Sequence, residues 1–105
     1  MTYIENIFRQ LRRRGVVKIV LQATEYYEMY GDYYDEADMI ITYNMTDDGW
    51  ECIECYVGTE QELIPTKKKD LDDVLDSIVD TLYTRSVNSI KTFTDGDTIG
   101  TDVNF

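Results

Sequence analysis

Glu25-Tyr26-Tyr27-Glu28-Met29-Tyr30-Gly31-Asp32-Tyr33-Tyr34-Asp35-Glu36-Ala37-Asp38 sets five tyrosines and six carboxylates around one glycine, with no positive charge among them. Gly31-Asp32 is a turn-forming pair, and the segments on either side have the composition of strands. The stretch is read as the connection of a hairpin. The fold then depends on how the two flanking strands pair.

Upstream, residues 16–22 are rich in β-branched side chains, with Val17, Ile19 and Leu21 on one face and Val16, Lys18, Val20 and Gln22 on the other. This is a central strand, and a second one spans residues 39–46. A tight hairpin with Tyr30 opposite Tyr33 sets Glu28 against Asp35 and Glu25 against Asp38, two like-charge pairs that oppose pairing. It also puts Leu21 beside Thr42 instead of Ile41. The expectation is a longer loop or a bulge, with the hairpin loosening toward its tip.

Downstream, Asp47-Asp48-Gly49 reads as a three-residue loop with Gly49 at the left-handed position. That register puts Met39, Ile41 and Tyr43 opposite Val57, Cys55 and Ile53 on a buried face, and leaves Thr42, Asn44, Glu54 and Cys52 outside. A two-residue loop mixes Glu54 with Ile41 and Tyr43, so the sequence argues against it.

The helices are read from apolar spacing. Ile4, Ile7, Phe8 and Leu11 share one helical face over residues 3–14, after a Thr2/Glu5 capping box and before Gly15, with Arg12, Arg13 and Arg14 in the last turn. Asp70 is a good N-cap for residues 71–84, where Leu71, Val74, Leu75, Ile78, Val79 and Leu82 form an apolar stripe and Asp72, Asp73, Asp76 and Asp80 the opposite side. A short strand at 62–66 is confined to an edge by Pro65, with Lys67, Lys68 and Lys69 after it, and the tail holds strands at 90–94 and 98–103 joined around Asp95-Gly96. The fold class is α+β: a two-layer domain of element order α-β-β-β-(β)-α-β-β, an antiparallel sheet with both helices on one face.

A chain of 105 residues with 43% hydrophobic residues and one proline has the composition of a single globular domain, residues 1–105, with one core. Its longest apolar run, residues 16–21, is interrupted by Lys18 and is far shorter than the roughly 20 residues of a membrane span. With no signal-like segment either, a cytoplasmic location and no membrane partner are expected. The net charge of -11 is polarised: residues 1–18 carry five bases and one acid, and between Ile19 and Ile64 twelve acids occur with no Lys or Arg. Such a field disfavours direct binding to nucleic acid. A second explanation of the charge is solubility, as in a salty cytoplasm.

Chemistry-bearing motifs do not hold. Cys52-Ile53-Glu54-Cys55 has CxxC spacing, but on a strand an odd separation sends the sulfurs to opposite faces, one thiol inward and one outward. With no histidine in the chain, a zinc site lacks ligands. Asp95-Gly96-Asp97-Thr98-Ile99-Gly100 starts like a calcium loop but has Ile99 at the fifth position, and its twelfth position would lie beyond Phe105. Asp35-Glu36-Ala37-Asp38 spells a helicase motif without the phosphate-cradling loop that such enzymes need. No catalytic residue, metal or cofactor is assigned, and a non-enzymatic role is expected.

Arg9, Arg12, Arg13, Arg14 and Lys18 are the best case for a nucleic-acid module, but the acidic body opposes it and Phe8 belongs to the core. Pairing with the chain's own carboxylates, or with an acidic neighbour in a homo-oligomer, suits these arginines better. Five tyrosines within nine residues cannot share one buried face, so at least two are exposed, where their rings add contact area and attract arginine. In size, charge and composition, though in no motif, the chain is similar to small acidic phage proteins that block restriction or CRISPR nucleases by occupying their nucleic-acid sites. That resemblance implies a nucleic-acid-mimicking inhibitor facing a basic protein surface, the alternative being a generic acidic accessory or scaffolding protein. The residues expected to meet the partner are Glu28, Tyr30, Asp32, Tyr33, Tyr34, Asp35, Glu36 and Asp38, aided by Asp47, Asp48 and Glu51.

The charge distribution makes a direct prediction. Screening relieves repulsion among the twelve acids, so the melting temperature should rise between low and physiological salt. A flat or falling value over that range contradicts it, and a rise continuing to molar salt favours the solubility explanation.

Overall fold

The computed structural model describes residues 3–13, 15–29, 31, 33–56, 66–68 and 70–103; for residues 3, 13, 27–29, 33–35, 66 and 68 it describes the backbone alone. In chain order the elements are α1 (Tyr3–Arg13), β1 (Val16–Met29), β2 (Tyr33–Thr46), β3 (Gly49–Tyr56), β4 (Thr66–Lys68), α2 (Leu71–Thr84), β5 (Ser86–Thr94) and β6 (Thr101–Asp102). The strands form one antiparallel sheet ordered β4-β3-β2-β1-β5-β6, with β1 and β2 at its centre. This is the expected α+β architecture and element order. Among the described residues no helix is long and apolar enough to cross a membrane.

One face of the sheet is apolar because its cross-strand neighbours are. Leu21 stands between Ile41 and Ile90, and Ile19 beside Tyr43, which faces Cys52. Ile7 and Leu11 of α1, and Val74, Leu75 and Ile78 of α2, are buried in the same continuous core. Both helices therefore lie on that face, and each fully buried aliphatic side chain contributes roughly 1.5–3 kcal/mol. By contrast the exposed Arg12–Asp72 ion pair at 2.8 Å, which joins the end of α1 to the start of α2, contributes about 0–1 kcal/mol. It does realise the expectation that an arginine of the basic patch pairs with the chain's own acid.

α2 has the bounds read from the sequence, with the Asp70 carboxylate accepting the Asp73 N–H at 3.0 Å as its N-cap. α1 ends at Arg13; Thr2 of the expected capping box and Arg14, the last residue of the expected helix, lie outside the described residues.

The central hairpin has the longer connection that was expected but not the loosening toward its tip. Its strands do not loosen: β1 and β2 pair without interruption from Lys18↔Asn44 to Met29↔Tyr33, so most of the acidic stretch is itself strand. The connection is one residue longer than the tight turn, and Gly31 at its middle takes φ 73°, a conformation open to glycine without a side-chain clash. This extra residue shifts every pair. Glu28 faces Tyr34, Asp35 faces Tyr27, Glu36 faces Tyr26, Glu25 faces Ala37 and Asp38 faces Thr24, so no carboxylate stands opposite another. The same shift sets Leu21 opposite Ile41 and Ile19 opposite Tyr43.

The second hairpin is a correction. β2 and β3 close on Thr46↔Gly49 around a two-residue turn, Asp47-Asp48, with Gly49 at φ 109°. Thr46 locks it, its hydroxyl donating to the Gly49 carbonyl at 2.6 Å and accepting the Asp48 N–H at 3.3 Å. The pairing is Met39↔Tyr56, Ile41↔Glu54 and Tyr43↔Cys52, so Trp50 and Cys52 are buried and Ile53 and Cys55 hold the opposite face. The two thiols do part to opposite faces, but Cys52 is the inner one. Val57, expected opposite Met39, lies outside the described residues, as do residues 62–65 of the expected edge strand. That edge is formed by Thr66–Lys68, so Lys67 and Lys68 lie within the strand.

At the other edge β6 is only two residues long. Asp97 accepts the N–H groups of Ile99 and Gly100 at 3.2 and 3.1 Å, which holds residues 97–100 as a loop, so the strand expected from residue 98 starts only at Thr101.

The register makes the hairpin sensitive to a charge at position 34. Tyr34→Glu sets like charges opposite at Glu28 and should cost about 0.2–1 kcal/mol, more at low salt than at high salt, whereas Tyr34→Lys should not destabilise. Equal loss in the two variants, read by urea denaturation, contradicts the pairing.

Candidate functional site: an acidic ribbon and a charged cleft

The central hairpin outgrows the sheet. β5 last pairs with β1 at Thr24↔Ser86, and β3 last pairs with β2 at Met39↔Tyr56. Beyond those rows β1 and β2 pair only with each other among the described residues, for five pairs from Glu25↔Ala37 to Met29↔Tyr33. At about 3.4 Å per pair this two-stranded ribbon projects roughly 17 Å.

Its root is stitched across three strands. A shift of register at Gln22/Ala23 accompanies a chain in which the Asn88 amide donates to Thr24 Oγ1 at 3.0 Å and Thr24 Oγ1 donates to Asp38 at 2.9 Å. Thr24 is buried there, so its hydroxyl is satisfied on both sides. On the helix side, Tyr56 donates its hydroxyl to Glu25 at 2.9 Å, and Arg85 Nε lies 3.9 Å from the same carboxylate. The bond to Glu25, followed by burial, raises the Tyr56 phenol above its ordinary pKa.

The residues expected to meet a partner divide into two groups. Glu28, Tyr33, Tyr34 and Asp35 occupy ribbon positions, while their side chains, and the whole of Tyr30 and Asp32, lie outside the described residues. Glu36 and Asp38 are exposed, and Tyr26, not among the residues first singled out, is 60% exposed opposite Glu36. Asp47 and Asp48 are exposed too, but at the far end of the 14-residue β2, about 43 Å away at roughly 3.3 Å per residue. Glu51 pairs with Lys67 at 3.7 Å. The two acidic loops are therefore not neighbours, and Asp47, Asp48 and Glu51 do not extend the ribbon.

A second feature was missed by sequence reasoning. Between the polar side of α2 and strands β2, β3 and β4 lies a cleft of about 740 Å³, lined by Tyr43, Cys52, Glu54, Lys67, Asp73, Asp76, Ser77, Asp80, Thr81 and Arg85. That is the size range of a small-ligand site. Tyr43 closes its floor, hydrogen-bonded to Thr81 and Cys52, and burial, reinforced by the fields of Cys52 and Glu54, holds its phenol neutral well above the ordinary range. Glu54 enters this cleft because the two-residue turn turns it inward. No three acidic or cysteine side chains among the described residues are grouped to hold a metal ion.

No family model, curated protein or solved structure matches the chain.

Tyr43 gives a pH prediction. Its folded pKa lies above the unfolded value of about 10, so its contribution is fully present below that value and is lost as pH rises toward the folded pKa. Tyr43→Phe should make the fall in stability between pH 9 and 11 shallower, by up to about 1.4 kcal/mol per pH unit above the unfolded pKa. Equal slopes in urea denaturation contradict the burial of a neutral phenol.

Proposed function

We propose that this chain is a non-enzymatic binding protein that occupies a basic, nucleic-acid-holding groove of a partner protein, with the β1–β2 ribbon standing in for the nucleic acid. The observation that carries this reading is the ribbon itself: a projecting element in which carboxylates face tyrosines, within a segment of the chain that has no Lys or Arg from Ile19 to Ile64. Residues 25–38 hold six carboxylates. Spread over about 20 Å of ribbon and turn, that is roughly one charge per 3.4 Å, the spacing along one nucleic-acid strand and half the density of a duplex. A ribbon thus suits a groove that takes one strand. Tyrosine rings beside the carboxylates supply what bases supply in such grooves, a flat face for arginine or for an aromatic platform. Association steered by this field is fast and weakens steeply with salt.

The test is capture followed by competition. Tagged protein is used to capture partners from host lysate beside a variant with Glu28, Asp35, Glu36 and Asp38 as amides. A partner held by the wild type and not by the variant should be released by an excess of the partner's own nucleic acid. A partner that binds equally well when already saturated with nucleic acid contradicts mimicry and leaves a scaffolding or allosteric role.

A further inference from the structure

We infer that the face of the sheet turned away from the helices is a self-association surface, on which a second copy of this chain packs about a two-fold axis running along β2. The surface is separate from the ribbon and does not depend on its proposed role. Strand parity builds it. Residues that alternate with the buried set of β1, β2 and β3 point away from the helices, and cross-strand pairing lines them up in rows: Glu51, Asn44 and Lys18, then Ile53, Thr42 and Val20. A third row holds Cys55, Ile40 and Gln22. Val20, Ile40 and Ile53 take no part in the core beneath the helices, so the middle of this outer face is apolar and partly exposed.

On the β5 side the chain's own loop closes the face. A methyl group at Gly100 would fall 2.7 Å from Lys91 Cγ and 2.8 Å from Phe93 Cε2, so the loop backbone lies directly on those two side chains. Among the described residues the open part is therefore β3, β2 and β1, with β2 in the middle.

Charge selects a second copy as the occupant. The chain carries a net charge of -11, yet the three rows hold one acid and one base, so two copies can meet here without the repulsion that the rest of the surface imposes. Lys18 is partly buried and has no ion pair among the described residues, its ammonium lying 5.1 Å from the centre of the Phe93 ring. Glu51 meets Lys67 only at 3.7 Å, too long for a hydrogen bond, and so keeps acceptor capacity. Rotation about an axis along β2 lays β3 of each copy over β1 of the other and keeps every row at its own level. Glu51 then faces Lys18 of the second copy, and Ile53 faces Val20, each contact occurring twice, while Thr42 and Ile40 meet their own counterparts on the axis. An axis between β1 and β2 sets Ile53 against Lys91 instead, and one across the strands sets Lys18 against Gln22. Only the axis along β2 satisfies both the apolar row and the charged one.

Three strands about 4.8 Å apart and three rows about 7 Å apart, with their flanking side chains, make a contact of roughly 400 Å² per copy. That is a small interface, so a weak dimer is expected, with Kd on the order of 10⁻⁴ M.

The test is sedimentation equilibrium of the whole chain at physiological salt, from about 10 μM to about 1 mM, a range that brackets this affinity. The average mass should climb from 12.3 kDa toward twice that value. Lys18→Glu and Glu51→Lys each set like charges face to face across the axis and should each weaken dimerisation about tenfold. An equimolar mixture of the two variants should associate as well as the wild type, because each carries the charge that the other has lost. A mass that stays at the monomer value over the whole range overturns the self-association surface. Dimerisation that is unchanged in both variants, or a mixture no better than either variant alone, overturns the facing of Glu51 and Lys18 and with it the axis along β2.

Discussion

Like charges on facing strands repel, and the middle of this chain has to build its central hairpin from a stretch holding six carboxylates and no cation. The register that places five of those acids, Glu25, Glu28, Asp35, Glu36 and Asp38, opposite Ala, Tyr or Thr removes that conflict among them, and the same register aligns Leu21 with Ile41 and Ile19 with Tyr43 beneath the helices. Strand parity links the two ends of the hairpin: a shift of one residue at the tip would move the whole apolar set off the core face. Glycine at position 31, with its positive φ, is the local device that permits the longer connection. The rest of the sheet is added outward from that pair, with β3 on one side and β5 on the other.

The helices cover only part of the face so defined. Where the apolar rows end, beyond Ala23 and Met39, the same face continues as Glu25 and Tyr56 with Arg85 against them, and beside α2 it opens into the cleft over Tyr43 and Glu54. Apolar burial holds the base of the hairpin, and the ribbon beyond it projects without a covering layer among the described residues. The account of function rests on this division between a packed base and a charged projection.

Much of the architecture could be read from spacing. α2 has a capping aspartate and an apolar stripe over three turns, signals that are local and do not depend on long-range pairing. The strands, their order along the chain and the two-layer class follow from apolar alternation. Hairpin details did not follow, because turn geometry and parity compete. Gly49 suits the left-handed position of a three-residue loop, yet the hydroxyl of Thr46 closes a two-residue one. Trp50 was the signal overlooked: a tryptophan on the same parity as Cys52 and Glu54 favours that face as the inner one, against Ile53 and Cys55. The same misreading hid the cleft, since it placed Glu54 outside. Arg85 meeting Glu25 joins residues 60 positions apart, which no periodicity reports. The acidic positions were correctly picked as exposed at 36, 38, 47 and 48, but their grouping into one surface failed because the turns sit at opposite ends of β2.

The pairing of the ribbon is the claim on which the rest depends, and backbone proton contacts measured by NMR test it most directly. The account predicts cross-strand contacts that centre on Glu25 with Ala37, Tyr27 with Asp35 and Met29 with Tyr33, with protection of the hydrogen-bonded amides between them. Contacts centred on Glu25 with Asp38 and Glu28 with Asp35, or none beyond the Thr24–Asp38 row, would contradict it.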